Sequence, residues 1–588
     1  MEQRKEQKKE QRVYAAFGRG ARRDWKRAAR KTVFSHYWMA IMVCLVAAFL
    51  GTEFTGSLES LHFTRQKWDV ISNFLASFGR PGAAANSRGV FAIAVNKIAD
   101  GSLQNIVNNT IMSLTGSSEF WQSFGIVVSS LVSMAYWVLV THTFAVILRR
   151  LFMEMRVYEE VPPYRALYLH SARCWGRTSL ALLRVAVQRG LWWLTIIGGA
   201  IKTFSYYLCG FILAENPTMK GGDAIALSRK MMNGHKWECF LLELSFVPWH
   251  LLSLATFGLS SLFYSSAYLS AARCEFYAAV RAQVKAEGEA QALRDTYLFE
   301  KASAKTLRRA YNDLGRPAEK LPARVYGNRV TRFFGECLGV TLFVNPQDVA
   351  REKIQDREYR LRYMRRCEQG LSYPIRLSPL LQYEHKDHEP ALFTRKYPVT
   401  TLVLLFFLFS IIGWCWEVVL HLLSEGTFVN RGVLHGPWLP IYGTGGVLVL
   451  LTLYKLRDKP WLEFWATVVV CGVVEYFTAY YLETVYDRRW WDYAGYFLNL
   501  HGRICAEGLL VFGLGGMAVV YGVAPLFDNL LHKVRRSVLI GLCAALIALF
   551  CVDQAYSHFH PNEGEGITDE VVYKTDDARI RLDEEAFV

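Results

Sequence analysis

The chain has 588 residues, of which 52% are hydrophobic and 14% aromatic, and its formal net charge is +15. Ordinary soluble domains are about 45–50% apolar. Here the apolar residues also gather into nearly uncharged runs of roughly the 20 residues that a bilayer crossing requires, which excludes a soluble globular domain. The positive charge sits beside those runs, where it sets topology and meets anionic lipid, so it makes no case for a nucleic-acid partner.

Residues 1–35, which include MEQRKEQKKEQR and GRGARRDWKRAARK, form a basic arm. No small-residue cleavage site follows the first apolar run, so the arm reads as a cytoplasmic amphipathic segment leading into a signal anchor. Apolar runs at 36–52, 121–148, 190–214 and 238–272 predict an N-terminal membrane module over 36–280. Gly198-Gly199 and Lys202 suggest that the third run is broken or re-entrant, and the fourth is long enough for a tight pair. The expectation is therefore four to six spans. Between them, DAIALSRKMMNG (Asp223–Gly234) fits an interfacial amphipathic helix with Arg229 and Lys230 on its polar face.

A charged linker follows over 281–397, with a helix expected in EAQALRDTYLFEKASAKTLRRAYNDLG, ended by Gly315 and Pro317. Runs at 398–423, 437–454, 462–485, 504–524 and 537–556 predict a C-terminal module of five spans over 398–556, and 557–588 is an acidic tail. The expected fold is all-α: a polytopic helical membrane protein with two transmembrane modules joined by a charged linker. Basic segments at both ends of the spans place the N-terminus and the linker in the cytoplasm. The twelve cysteines are scattered singly with no C-x-x-C pair, so neither a zinc site nor a disulfide framework is indicated. No cofactor is expected, and no G-x-x-x-x-G-K-[ST] is present. If ATP drives the protein, a separate ATPase subunit must bring it.

Two resemblances follow from particular stretches. Phe211–Tyr277, beginning FILAENPTMKGGDAIALSRKMMNG, together with the preceding LWWLTIIGGAIKTFSYY, resembles a bacterial membrane family catalogued as domain of unknown function 975. It implies a fold neighbourhood and a location, the bacterial cytoplasmic membrane, but no reaction. The motifs IIGWCWEVV, NRGVLHGPWLPIYGTGG, VVEYFTAYYLE, RRWWDY and LNLHGRICAEG resemble the CmpB-type ABC-transporter permease family over about residues 400–556. That resemblance implies a transport-related role.

The second module also carries ionisable groups in or at the edge of its apolar runs. A charge at membrane depth costs about 2.5–3.5 kcal/mol on insertion scales, so such groups face protein or water and pair with one another. Glu417, Asn430, Arg431, Glu475, Glu483, Asp492, Asn499, Arg503 and Glu507 are the candidate lining of a polar cavity. Glu475 lies in mid-span with no neighbouring cation in sequence, whereas Arg503 and Glu507, four apart, are spaced to share a helix face. Trp490, Trp491 and Tyr493 suit an interfacial belt.

The two hairpins of this module read alike. Each has a glutamate-bearing span, a polar loop with asparagine and arginine, and an aromatic-Gly-x-Gly-Gly close at Tyr442–Gly446 and Phe512–Gly516. Either the module is a parallel internal duplication, with sites at the repeat interface, or glycine-rich spans imitate one another. In the first case Asn430, Arg431 and His435 face Asn499, Arg503 and Glu507 across a pseudo-twofold axis, above Glu417, Glu475 and Glu483. The leading function is permease-like transport of an unspecified solute. The alternatives are an intramembrane enzyme acting on a lipid or isoprenoid phosphate, with arginines holding the phosphate, and a membrane scaffold without ligand flux. No hydrolase signature favours catalysis.

Overall fold

The computed structural model describes residues 17–53, 134–256, 258–288, 292–314, 328–341, 346–380, 393, 395–425, 429–486, 488–493, 499–562, 567 and 569–570. The segment 55–120, the first part of the span expected at 121–148 and most of the acidic tail lie outside them. Among the described residues the fold is all-α. Strand structure is confined to two-residue pairs: Val340–Thr341 parallel to Tyr397–Pro398, and Arg488–Arg489 antiparallel to Asp569–Glu570. Six helices of the described residues are long and apolar enough to cross a membrane, or seven if one bent pair is a single span. The protein is a multi-pass helical membrane protein. It divides into two compact units, one from described residues up to 326 with 344–392, the other from 327–343 with 393–588.

The first unit opens with α1 (Arg19–Ser35) and α2 (Tyr37–Phe49), which meet at a 98° bend. The buried residues of α1 are Ala21, Trp25, Ala29 and Val33, one stripe at four-residue spacing. The small alanines bring α1 close to its partner, while Arg19, Arg23, Arg27 and Lys31 stay exposed on another face. There follow α3 (His142–Val157), α4 (Trp175–Trp193), α5 (Ile196–Ser205), α6 (Cys209–Glu215), α7 (Gly221–Met231), α8 (Lys236–Leu244), α9 (Val247–Ala255) and α10 (Ser266–Ala286). Trp25 of α1 packs edge-on to Phe276 of α10, centroids 5.6 Å apart.

The third predicted run is interrupted, but not at its glycines. The breaks fall at Thr195 and at Tyr206–Leu208, and Gly198-Gly199 lie inside α5. A Cβ on Gly199 would come within 2.7 Å of the Trp193 ring and 2.9 Å of its Cα, so this glycine permits a close approach of the preceding turn. The fourth run divides into α8, α9 and α10, and the stretch 221–231 forms the helix α7, as its pattern predicts.

Helix α3 is buried almost all round, including Arg150 and Glu154, each 1% exposed. Charges in such a place must be paired. Glu154 accepts from Arg150 Nε at 2.9 Å and from Arg165 Nε at 2.9 Å. Arg150 also donates to Asp295 Oδ2 at 3.1 Å, and that oxygen accepts from the Tyr373 hydroxyl at 2.6 Å. At the C-terminal end of α6, Glu215 accepts from Arg281 Nε at 2.8 Å and from Tyr277 OH at 2.9 Å.

This network explains why the helix expected over 289–315 does not form as one piece. Asp295 is drawn into the core at 1% exposure. The chain there makes only a 3-10 turn at Thr296–Leu298, then α11 (Ala304–Ala310), capped by Ser303 accepting from Thr306 N at 3.2 Å. Helix α12 (Pro346–Glu368) leads to the segment that carries Tyr373.

The second unit contains α13 (Val399–Glu425), α14 (Pro440–Thr452), α15 (Pro460–Tyr486), α16 (Ala506–Ala518), α17 (Ala524–Leu531) and α18 (Arg536–Phe559). A π-turn at Val519–Val523 joins α16 to α17 in one 24-residue apolar window. At 1.5 Å per residue the 13-residue α14 spans about 20 Å, short of a hydrocarbon core of about 30 Å. It starts with Pro440 at its first position, where the missing N–H costs nothing. Helix α18 exposes Val538, Ile540, Leu542, Ile547, Leu549 and Val552, an apolar face suited to lipid.

Candidate functional site

Glu417 lies on α13, and Tyr442 in the first turn of α14 donates its hydroxyl to Glu417 Oε1 at 2.7 Å. Arg431, from the loop between these helices, places Nε 3.8 Å from Glu417 Oε2. Asn430 organises the same loop, accepting from Trp414 Nε1 at 2.6 Å and donating to the His435 carbonyl at 2.8 Å. The loop is tied to the end of α18. Asp553 accepts from the N–H groups of His435 at 3.2 Å and Gly436 at 2.9 Å and from the Trp438 indole at 2.7 Å. Asn562 donates to the carbonyls of Asn430 and Gly432. Sequence reasoning missed Asp553; its signal was an acid standing alone in an apolar run.

Glu475 lies on α15 and is 3% exposed. Its Oε1 accepts from the Tyr493 hydroxyl at 3.1 Å, and its Oε2 has no hydrogen-bond partner among the described residues. Burial pushes the Tyr493 phenol well above the usual tyrosine range, so the hydroxyl remains a donor. Two turns along α15, Glu483 accepts from Arg503 Nε at 3.0 Å and Nη2 at 2.6 Å, and Arg489 Nε lies 2.8 Å from its other oxygen. Arg489 also reaches Asp492, at 3.2 Å. Arg503 sits over the rings of Tyr476 and Tyr480, and its hydrogen bonds to Glu483 hold the guanidinium proton more firmly than usual. Asn499 accepts from Gly502 N at 3.3 Å, closing the turn that presents Arg503.

Arg503 and Glu507 do not share a helix face as their spacing suggests. Cys505 is the N-cap of α16, its Sγ accepting from Gly508 N at 3.4 Å, so Arg503 precedes the helix and turns back to Glu483. The side chain of Glu507 lies outside the described residues. Each loop arginine is therefore closed on a carboxylate of its own hairpin: Arg431 on Glu417, and Arg503 on Glu483. The sequence reading also passed over Tyr442 and Tyr493 as donors, because it read one as part of a glycine motif and the other as an interfacial anchor.

The hairpins nonetheless approach each other. Tyr442 and Phe512 are in ring contact at 6.3 Å, and Glu417 and Glu475 are near enough for their charges to interact. A regularity links the two. A Cβ on Gly443 would strike Phe406 and Ser410, and one on Gly446 would strike Phe409. In the second hairpin a Cβ on Gly513 would strike Phe464 and Val468, and one on Gly516 would strike Thr467. The steps from Phe406 to Phe464, Phe409 to Thr467 and Ser410 to Val468 are one constant interval, and the same interval carries Glu417 to Glu475. A second constant interval carries Tyr442, Gly443 and Gly446 to Phe512, Gly513 and Gly516. The paired helices thus pack through corresponding residues, and the two glutamates fall at corresponding places. Among the described residues no three His, Cys, Asp or Glu side chains converge to hold a metal.

The fold and these buried polar clusters define a multi-pass membrane protein of two helical units. Residues 404–558 match the family model described as "Putative ABC-transporter type IV", and residues 29–284 match the model described as "Protein of unknown function (DUF975)". The two modules recognised in the sequence are the two that match, and the C-terminal one marks the protein as transport-related. No curated protein and no solved structure matches the chain.

Proposed function

We propose that the C-terminal module is a permease-like unit built from two duplicated hairpins, and that a small solute passes between them beside Glu417 and Glu475. The observation that carries this reading is the pair of corresponding glutamates, each held by a tyrosine hydroxyl, at neighbouring positions inside the hairpin pair. Interior carboxylates are costly in a bilayer and mark solute or ion paths. The match to a transporter-type family model supports the same reading. The protein acts in the bacterial cytoplasmic membrane with its basic N-terminal arm and central charged segment on the cytoplasmic side; if ATP takes part, a separate ATPase subunit brings it.

Cys471, one helical turn before Glu475, tests the path, since it lies 4.0 Å from where a Cβ on Gly445 of α14 would be. In a background with the other cysteines replaced, a membrane-impermeant maleimide is expected to reach Cys471 from at least one side. Arg431→Ala, which removes the cation beside Glu417, is expected to change that access. Complete protection of Cys471 from both sides, in both backgrounds, would remove the transport reading.

A further inference from the structure

Glu417 and Glu475 stand at corresponding positions but in different electrostatic company. Glu417 has the Tyr442 hydroxyl at 2.7 Å and the Arg431 guanidinium at 3.8 Å, and its side chain is 27% exposed. Glu475 has the Tyr493 hydroxyl at 3.1 Å on one oxygen and, among the described residues, nothing on the other, at 3% exposure. Among the described residues no Lys, Arg or His forms an ion pair with it. The titratable groups that face it are Glu417 from α13, Tyr442 from α14, Tyr493 from the loop before α16, and Cys471 on its own helix, with Cys505 behind Tyr493. None of these carries positive charge. The duplication that would have supplied a donor fails here as well, because the residue corresponding to Tyr442 is Phe512, which has no hydroxyl.

An ionised carboxylate at this place would be a lone anion in an apolar span, beside a second carboxylate that Arg431 keeps compensated. The cheaper state carries a proton. We propose that Glu475 is a proton-binding site, and that the proton it takes up and releases is the coupling ion of the module. The step is simple in its balance: one proton adds to a Glu475 carboxylate oxygen to give the neutral acid, and the same proton leaves when water reaches it. No other bond changes. The coupling role rests on the transport reading; the proton site does not.

Dicyclohexylcarbodiimide, which attacks protonated carboxyls from an apolar medium, provides the test. The purified full-length protein in micelles is treated near neutral pH and the adducts are mapped by peptide mass spectrometry. The expected result is an adduct on Glu475, lost progressively as the pH is raised, with Glu417 unmodified. In infrared spectra the carbonyl band of a protonated carboxyl is expected in the wild type and lost in Glu475→Gln, a neutral isostere that keeps the packing. No adduct on Glu475 with no band lost in the variant would overturn the proposal, as would equal modification of Glu417. A labelled Glu475 with Cys471 closed to maleimide would leave the proton site standing and remove the transport reading. An open Cys471 with Glu475 unlabelled and no band lost in its variant would do the reverse.

Discussion

Replacing Glu154 with alanine is expected to cost the first unit about 3–5 kcal/mol, the penalty for breaking a buried ion pair by deleting one partner. Glu154 is 1% exposed and takes hydrogen bonds from two guanidinium groups, those of Arg150 and Arg165. Without it Arg150 keeps Asp295 and the Ala214 carbonyl, but Arg165 loses the carboxylate it grips with two nitrogens. Asp295 and Tyr373 hang on the same network, so the loss is expected to loosen the segments around residues 295 and 373 together. The control is Glu159→Ala. Its pair with Lys301 is 3.2 Å long but 68% and 47% exposed, and such surface pairs contribute about 0–1 kcal/mol. Chemical unfolding of the purified protein, followed by tryptophan fluorescence, separates the two. Equal shifts in the midpoint would mean that the buried network does not hold the unit together.

The second large effect lies at the glycines of the C-terminal hairpins. A Cβ at Gly443 would sit 2.2 Å from Ser410 Oγ and 2.5 Å from the backbone oxygen of Phe406. A hydroxyl can rotate away, but a backbone oxygen cannot move without shifting α13. At Gly513 the nearest atoms are the Phe464 ring at 2.6 Å and the Val468 methyl at 2.9 Å, both side chains. Overpacking costs about 1–3 kcal/mol, so Gly443→Ala is expected at or beyond the upper end of that range and Gly513→Ala nearer the lower. Gly515 is the internal reference, because nothing lies within 4 Å of its Cβ position. Gly515→Ala is expected to stabilise by up to about 1 kcal/mol through helix propensity alone. The order of the three unfolding midpoints tests the close helix pairing. An effect of Gly443→Ala no larger than that of Gly515→Ala would dismiss it.

Much of the architecture was legible in the residues. Runs such as VTTLVLLFFLFSIIGWCW leave no alternative to a helix in lipid, because backbone groups there have no water to bond. The likeness of the two hairpins was legible too, since IIGWCWE and CGVVE each carry a glutamate in a span and each hairpin ends on an aromatic-Gly-x-Gly-Gly close. Partner choice was not. Arg503 and Glu507 have helical spacing, yet the Cys505 cap starts the helix after Arg503 and sends it to Glu483. Asp295 looked like one charge on a solvated helix, and instead it is buried against Arg150 and Tyr373. Asp553 reaches a loop more than a hundred residues away.

By itself the sequence determined that this chain is a helical membrane protein of two modules, because segment length and hydropathy are local and additive quantities that the bilayer reads directly. Only the tertiary structure decided which carboxylate each arginine neutralises, and that Glu475 has a hydroxyl and, among the described residues, no cation. Pairing of buried charges depends on distances of a few ångströms between residues far apart in the chain, and no local pattern encodes those.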